Sequence, residues 1–237
     1  MLGIVGGGLL GLGCGRLISE RFQKTLMMAC AVAVMFLGLT GTVKEMLAVG
    51  ADGKILLVGT NCMLASLIGG ALLGEAINIE DRMEKFGIWL RQKTGSSGDT
   101  RFVDGFVTAS LTVCIGAMAI IGSFDEGLRG DRAVVLSKTI IDSFAALAMA
   151  SAYGLGVLFS AIPVLIYQGA LTLLAGSLQS WLAPATMTEL TAVGGTLIIG
   201  IGLNMLEITR ISLSNMLPAL LAVVGLCALT ASFAGTI

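Results

Sequence analysis

A lysine and an aspartate stand four residues apart in a part of the chain that is otherwise almost free of charge. Lys138 and Asp142 would share one helical face, because side chains four positions apart are neighbours on a helix. A charge at the centre of a bilayer costs about 2.5–3.5 kcal/mol, so such residues usually face protein or a water-filled cavity. The spacing predicts either a structural ion pair, with Lys138 reaching towards the span end, or a group that binds a solute or ion.

Other polar side chains accompany the apolar segments. Asn61 and Asn215 lie within or at the mouth of predicted spans, where an amide links helices by hydrogen bonds or coordinates a cation. Asp104 lies at the edge of a predicted span, where a side chain exposed to solvent is a simpler interpretation than a binding group. We take six residues as candidates for binding a solute or ion: Asp142, Lys138, Asp104, Ser110, Asn61 and Asn215.

The sequence lacks the residues and motifs of several common catalytic and metal-binding sites. The chain has no histidine, and its five cysteines all lie in apolar runs without CxxC spacing. It also lacks a P-loop, an HExxH motif and a GxSxG motif. We therefore expect no enzyme, no cofactor and no metal site. A net charge of −1 argues against a nucleic-acid partner.

Four glycines follow one another at four-residue spacing near the start of the chain. Gly3, Gly7, Gly11 and Gly15 would form one smooth ridge on a helix, which a neighbouring helix can approach closely. The ridge predicts a packing role. The alternative is that this helix lines a narrow path or slides during gating.

The elements that must position these residues are membrane spans. Only 12% of residues are charged, 56% are hydrophobic, and from Ser143 to Thr188 the chain runs 46 residues without a charge. A helix needs about 20 apolar residues to cross a bilayer. The sequence predicts an all-α, polytopic transmembrane bundle forming a single domain over 1–237, with eight spans: 2–18, 25–43, 55–75, 103–123, 134–153, 157–179, 188–206 and 212–233.

The division of the long neutral run decides the span count. Gly154 and Gly156 flank one residue and predict a break between the fifth and sixth spans; without that break the count falls to seven. Basic residues are retained on the cytoplasmic side of a membrane. With the N-terminus outside, nine Lys and Arg lie in inside loops and four in outside loops, so we expect an external N-terminus.

Two triplets of spans resemble each other. Placing Gly38 over Gly200 aligns two apolar spans, and Thr60-Asn61 resembles Ser214-Asn215 at the start of the next span in each triplet. The eight-span topology gives the triplets opposite orientations. The pattern predicts inverted repeats over 1–75 and 154–237, separated by central spans over 102–153, as in many secondary transporters.

The longest polar segment, 75–101, interleaves apolar and charged residues at spacings that suit an amphipathic helix at the membrane interface. Pro163 and Pro218 fall inside apolar runs, and each is expected to kink its helix because proline has no N–H to donate.

Several strings of residues resemble one known family. They are Phe102-Val103-Asp104-Gly105-Phe106, Leu136-Ser137-Lys138-Thr139-Ile140-Ile141-Asp142-Ser143, Gly154-Leu155-Gly156-Val157 and Ser214-Asn215-Met216-Leu217-Pro218-Ala219. Together they resemble the bacterial YqgA-type membrane family, a domain of unknown function (DUF554), over nearly the whole chain. The resemblance implies an integral protein of the bacterial cytoplasmic (inner) membrane and supplies no substrate or site residues. The family pattern has an Asn after Gly-Thr-Leu-Val, where this chain has Gly6 after Val5.

These observations favour a secondary transporter or channel-like protein for a small solute or ion. Its surroundings are the lipid bilayer, and a homo-oligomer is compatible with the sequence. The alternative is a non-transporting membrane scaffold or sensor that holds segment 75–101 for a partner.

Overall fold

A computed structural model describes residues 1–17, 19–49, 54–96, 98–99, 101–115, 117–178 and 183–234. Helices dominate this part of the chain, and a short antiparallel hairpin precedes the third of them. The elements are α1 (Leu2–Leu17), α2 (Glu20–Met46), β1 (Leu47–Val49), β2 (Ile55–Leu57), α3 (Thr60–Ile77), α4 (Ile79–Lys93), α5 (Phe102–Cys114), α6 (Ala117–Arg129), α7 (Ala133–Tyr153), α8 (Gly156–Phe159), α9 (Ala161–Leu178), α10 (Pro184–Met205), α11 (Leu213–Met216) and α12 (Pro218–Ala234).

Six helical segments are long and apolar enough to cross a membrane: Met27–Met46, Thr60–Ile77, Ala133–Tyr153, Gly156–Ser177, Pro184–Met205 and Leu213–Thr230. Two shorter apolar helices, Leu2–Cys14 and Phe102–Cys114, lie at the first and fourth predicted spans. Large apolar side chains such as Leu2, Leu173 and Leu221 are 77–87% exposed, a surface suited to lipid. The predicted fold class, an all-α bundle of membrane helices, is confirmed.

The third predicted span begins later in the structure, and the fourth is divided into two helices. The third span starts at Thr60 rather than residue 55, because Ile55–Leu57 pairs with Leu47–Val49 and Gly59 then turns the chain with a φ of 74°. The fourth predicted span, 103–123, is divided into α5 and α6. Uniformly apolar sequence contains no periodic signal for such a division.

The predicted break between the fifth and sixth spans is present. α7 ends at Tyr153, Gly154 adopts a φ of 82°, and α8 begins at Gly156. Both prolines also lie close to interruptions. Ser160 separates α8 from α9 shortly before Pro163, and Leu217 separates α11 from α12 at Pro218. In each case the missing proline N–H removes a bond of the helical ladder.

Three helix pairs organise the bundle. Ala31 and Met35 of α2 contact Gly202 of α10, whereas Gly38, later in α2, contacts Gly195, earlier in α10. The two helices therefore run antiparallel. The Thr42 hydroxyl links them by a 3.2 Å bond to the carbonyl of residue 192.

α3 and the last span also run antiparallel. Gly70 of α3 contacts Ala219, while Gly74, one turn later, contacts Asn215, which lies earlier in the chain than Ala219. The third pair, α1 and α7, runs parallel and positions the candidate site.

Candidate functional site

Lys138 and Asp142 form an ion pair on α7. The Lys138 ammonium donates a hydrogen bond to Asp142 Oδ2, and the two side chains are only 7% and 14% exposed. Helix geometry brings the groups together, and burial comes from the neighbouring helices α1, α2 and α6. A buried ion pair loses hydration that its mutual attraction only partly restores. Its presence in an apolar span therefore requires a structural or functional reason.

The pair lies beside the interruption in the fourth predicted span. Cys114, the last residue of α5, is within electrostatic range of both Lys138 and Asp142. The next helix, α6, starts at Ala117. Irregular backbone at membrane depth is tolerated only inside protein or beside a water-filled cavity. The charged pair and the interrupted backbone thus share one region of the bundle.

The glycine ridge of α1 packs against the helix that carries the pair. A Cβ placed at Gly3 would meet Thr139 and Ser143, one at Gly7 would fall on the Ser143 carbonyl, and one at Gly11 on the carbonyl of residue 147. These three glycines let the α1 backbone touch the α7 backbone. Gly15 lies in α1, but its surroundings are outside the described contacts.

A cavity of about 350 Å³ with a mainly apolar wall and a few polar groups, here called the glutamine chamber, lies between α6, α7 and α9. Its walls include Ser123, Glu126, Val135 and Gln168. Val135 precedes Lys138 by almost one helical turn, so the chamber adjoins the helix segment that carries the pair. The Ser123 hydroxyl and Gln168 Nε2 are buried without a hydrogen-bond partner among the described residues. Buried polar groups normally have a hydrogen-bond partner, so these two retain unused hydrogen-bonding capacity.

A larger apolar cavity of about 640 Å³ lies on the other face of α9. Tyr167 lines it, whereas the next residue, Gln168, lines the glutamine chamber. Ser110 and Cys114 of α5 contribute polar atoms to its wall. Cys114 therefore lies between this cavity and the Lys138–Asp142 pair.

Ser110 and Asn215 each have hydrogen-bond partners in the structure, close in the chain for Ser110 and distant for Asn215. The Ser110 hydroxyl donates a 2.6 Å bond to the carbonyl of Phe106, one turn back in α5. Asn215 lies in α11, where its side-chain Nδ2 donates a 2.7 Å hydrogen bond to Glu75 Oε2 of α3. Its Oδ1 accepts a 2.8 Å bond from the backbone N–H of Glu80.

The remaining two candidates lie apart from the pair. Asp104 is exposed in the first turn of α5, ten residues and about 15 Å of helix from Cys114. Asn61 is exposed at the start of α3, on the wall of a separate cavity of about 600 Å³. The structure therefore brings Lys138 and Asp142 together, with Ser110 one turn from Cys114, and leaves Asp104, Asn61 and Asn215 elsewhere.

Sequence reasoning missed Ser123 and Gln168. Gln168 had a usable signal, because it is an amide inside a 46-residue uncharged run, where a polar side chain needs a partner. Ser123 had none, since an isolated serine in an apolar helix commonly bonds to its own backbone. Among the described residues, no group of three or more His, Cys, Asp or Glu is placed to hold a metal ion.

Comparison with known proteins gives a family and two curated relatives. The family described as "Protein of unknown function (DUF554)" matches residues 1–228. "Uncharacterized membrane protein YdfK" of Bacillus subtilis (strain 168) is 29% identical over 218 residues, covering 92% of this chain and 89% of the relative. "Uncharacterized protein YqgA" of Escherichia coli (strain K12) is 28% identical over 226 residues, covering 94% and 91%. No solved structure matches the chain.

Proposed function

The chain belongs to the DUF554 family, whose description assigns no function, and from its geometry we propose that it is a secondary transporter or channel-like protein for a small solute or ion. The buried Lys138–Asp142 pair is the observation that carries the proposal. In this reading the glutamine chamber receives the solute, and the pair supplies the charge that holds a polar or ionised group near it. No enzymatic step and no cofactor are part of the proposal.

The glutamine chamber supports a binding role rather than a purely structural one. A structural ion pair needs only its two members, whereas this pair adjoins a cavity whose Ser123 and Gln168 groups lack protein partners. Leaving such groups buried and unbonded costs about 1–3 kcal/mol each, so a site that binds a polar solute recovers that cost on binding.

The arrangement of the spans supports alternating access. We propose that 1–75 and 154–237 are inverted repeats flanking the central spans. The antiparallel packing of α2 on α10, and of α3 on the last span, is the relation that an in-plane two-fold axis would produce. Interrupted helices at α5–α6, α8–α9 and α11–α12 supply the irregular backbone that transporters use around their sites.

We further propose that the protein lies in the bacterial inner membrane with its N-terminus outside. The excess of Lys and Arg in the loops that this topology places inside supports the orientation. Fusions of a reporter to the C-terminus, which an even number of spans places outside, test it. Activity of a cytoplasmic reporter at the C-terminus would contradict the eight-span topology.

A ligand screen followed by flux measurement tests the function. Purified protein in detergent is heated with amino acids, short-chain carboxylates or alkali-metal chlorides, and a specific ligand raises Tm with concentration. Uptake of the compound that raises Tm is then measured in liposomes that contain the protein. If the protein is a transporter, the native chain and D81N should take up the compound, whereas D142N and Q168L should not.

Asp81 is a matched control for Asp142. It also pairs with a lysine four residues away, Lys85, but the two side chains are 43% and 72% exposed on α4. If D81N lost uptake as completely as D142N, the buried pair would have no special role. If no compound bound and no flux appeared, the transport proposal would fail.

One feature favours the scaffold or sensor alternative. Phe86 and Trp89 stack with ring centroids 5.7 Å apart on the exposed side of α4, while Phe86 also contacts Phe106 of α5. An exposed aromatic pair suits either a partner protein or the lipid interface. The double variant F86A/W89A separates the functions: a scaffold would lose its partner, whereas a transporter would retain flux.

A further inference from the structure

A small polar cavity lies where α4, α5, α10 and α11 meet, remote from the Lys138–Asp142 pair. Its volume is about 80 Å³, and its polar wall consists of Glu80, Thr108, Asn204 and Ser214. We call it the acidic chamber. Asn204 is occupied in holding the following loop, because its Oδ1 accepts from the backbone N–H of Ile211 and its Nδ2 donates to the Ile211 carbonyl. Glu80, Thr108 and Ser214 remain, and Glu80 carries the only carboxylate among the lining residues.

The charge around this chamber is negative, and hydrogen bonds from the Ser214 backbone N–H and the Ser212 side chain offset it only in part at Glu80. Glu84 and Glu75 act electrostatically on Glu80, and no described Lys or Arg forms a salt bridge with Glu75, Glu80 or Glu84. Burial first, and then the neighbouring charge of Glu84, raises the pKa of Glu80, while the backbone N–H of Ser214 opposes the rise. A cation in the chamber would relieve the repulsion among these carboxylates.

Ser214 provides the second, independent observation. Its side chain is 1% exposed, it lines the chamber, and its hydroxyl has no hydrogen-bond partner among the described residues. A hydroxyl oxygen carries two lone pairs that can coordinate a cation. A fully buried hydroxyl without a partner, on a residue that lines a cavity together with a carboxylate, suits a ligand position.

We propose that the acidic chamber binds a small monovalent cation, Na⁺, through the Glu80 carboxylate and the Ser214 hydroxyl. Both donors are hard oxygens, which suit alkali and alkaline-earth cations. Glu80 is the one carboxylate that lines the chamber, so a single positive charge balances the site. Mg²⁺ and Ca²⁺ take about six to eight oxygen ligands and usually more than one carboxylate. The inference concerns binding alone and stands without the transport proposal.

The last span provides a structural reason for a cation here. α11 ends at Met216, Leu217 interrupts the helix, and Pro218 cannot donate an N–H to the preceding turn. Broken transmembrane helices are where secondary transporters coordinate Na⁺ with unwound backbone and half-helix ends. Ser214 lies three residues before this break, and Asn215 fixes the same turn to Glu75 and Glu80.

Thermal unfolding of the full chain in detergent tests the site. Tm is measured while NaCl replaces choline chloride at constant ionic strength. The site predicts a saturable rise in Tm with Na⁺, and isothermal titration with NaCl yields an apparent Kd. E80Q and S214A should each weaken Na⁺ binding by about tenfold or more, the effect of losing one charge-assisted or coordinating contact.

Two variants control for fold and charge. D81N removes a carboxylate from the exposed face of α4 and should leave the Na⁺ dependence unchanged. S214A removes a hydroxyl that makes no hydrogen bond, so its fold should remain intact even if E80Q unfolds. Three outcomes would each overturn the proposal. The Tm could rise equally with choline chloride, or it could rise with MgCl₂ or CaCl₂ but not with NaCl. The third is an S214A chain whose Tm depends on Na⁺ as the native chain's does.

Discussion

The side-chain amide of Asn215 donates a 2.7 Å hydrogen bond to the carboxylate of Glu75, 140 residues earlier in the chain. The same amide accepts a 2.8 Å bond from the backbone N–H of Glu80, so one side chain joins the last span to both ends of the α3–α4 turn. We expect N215A to lower the free energy of unfolding by about 1–2 kcal/mol, because Glu75 and the backbone N–H of Glu80 each lose a partly buried hydrogen bond. Thermal unfolding in detergent measures this loss, and Q92A, a change at an exposed residue, is the control. Equal Tm values for N215A and the native chain would contradict a structural role for Asn215.

Gly7 should not tolerate a side chain. A Cβ at this position would fall on the Ser143 carbonyl of α7, whereas one at the adjacent Gly6 meets nothing within 4 Å. G7A should therefore destabilise the protein by about 1–3 kcal/mol through overpacking. G6A, in the same helix, should be neutral or stabilising by up to about 1 kcal/mol because alanine favours helix. Thermal unfolding of the two variants in one detergent compares them directly.

Removing one member of the Lys138–Asp142 pair should cost more than removing both. D142N or K138M alone leaves a buried charge without its partner, a loss of about 3–5 kcal/mol, while the double variant leaves none. We expect unfolding of K138M/D142N to lie closer to that of the native chain than either single variant. The exposed Lys85–Asp81 pair should change by about 0–1 kcal/mol in the same experiment. Additive losses at positions 138 and 142 would show that the groups do not interact.

The acidic chamber predicts a pH dependence in sodium-free buffer. Burial, Glu84 and Glu75 raise the pKa of Glu80, so the folded protein holds this proton more tightly than the unfolded chain. Stability contributed by the protonated group is therefore present in acid and is lost as pH rises from the ordinary glutamate range through the raised value. E80Q should match the native Tm in acid and exceed it at neutral pH.

D81N provides the reference curve for that titration. If E80Q and the native chain differed by the same amount at every pH, Glu80 would not be the group responsible.

Two cysteines offer a test of the α3–α12 packing. The thiols of Cys62 and Cys227 lie within electrostatic range of each other, although they are 165 residues apart in sequence. Mild oxidation with copper phenanthroline in membranes should join them and change the mobility of the chain in a non-reducing gel. C62S and C227S should each abolish the change, and C30S should retain it. An unchanged pattern in C227S would contradict the antiparallel contact.

The sequence was sufficient to predict the kind of fold and some of its interruptions, but not all of them. Span positions follow from charge-free runs, and the break near Gly154 follows from two glycines around one residue. The hairpin before Thr60 was missed because the Ile55–Leu57 strand is as apolar as the helix that follows it. The division of the fourth span was missed for the same reason, since the residues on both sides of the break favour lipid equally.

The candidate site was predictable only where chemistry is local. Lys138 and Asp142 meet because they are one helical turn apart, which sequence spacing reveals. The glutamine chamber is formed by Ser123 and Gln168 from different helices, and the acidic chamber by Glu80 and Ser214. Neither pairing leaves a trace in a single sequence, because it depends on which helices pack together.

The contact between α2 and α10 has a mechanical consequence. At Gly38, Gly195 and Gly202 the two helices approach so closely that a Cβ on any of these glycines would meet backbone atoms of the partner helix. The side chains of Met35 and Thr42 fill the space beside them. A larger residue at any of the three glycines would therefore wedge apart two helices that belong to opposite ends of the chain.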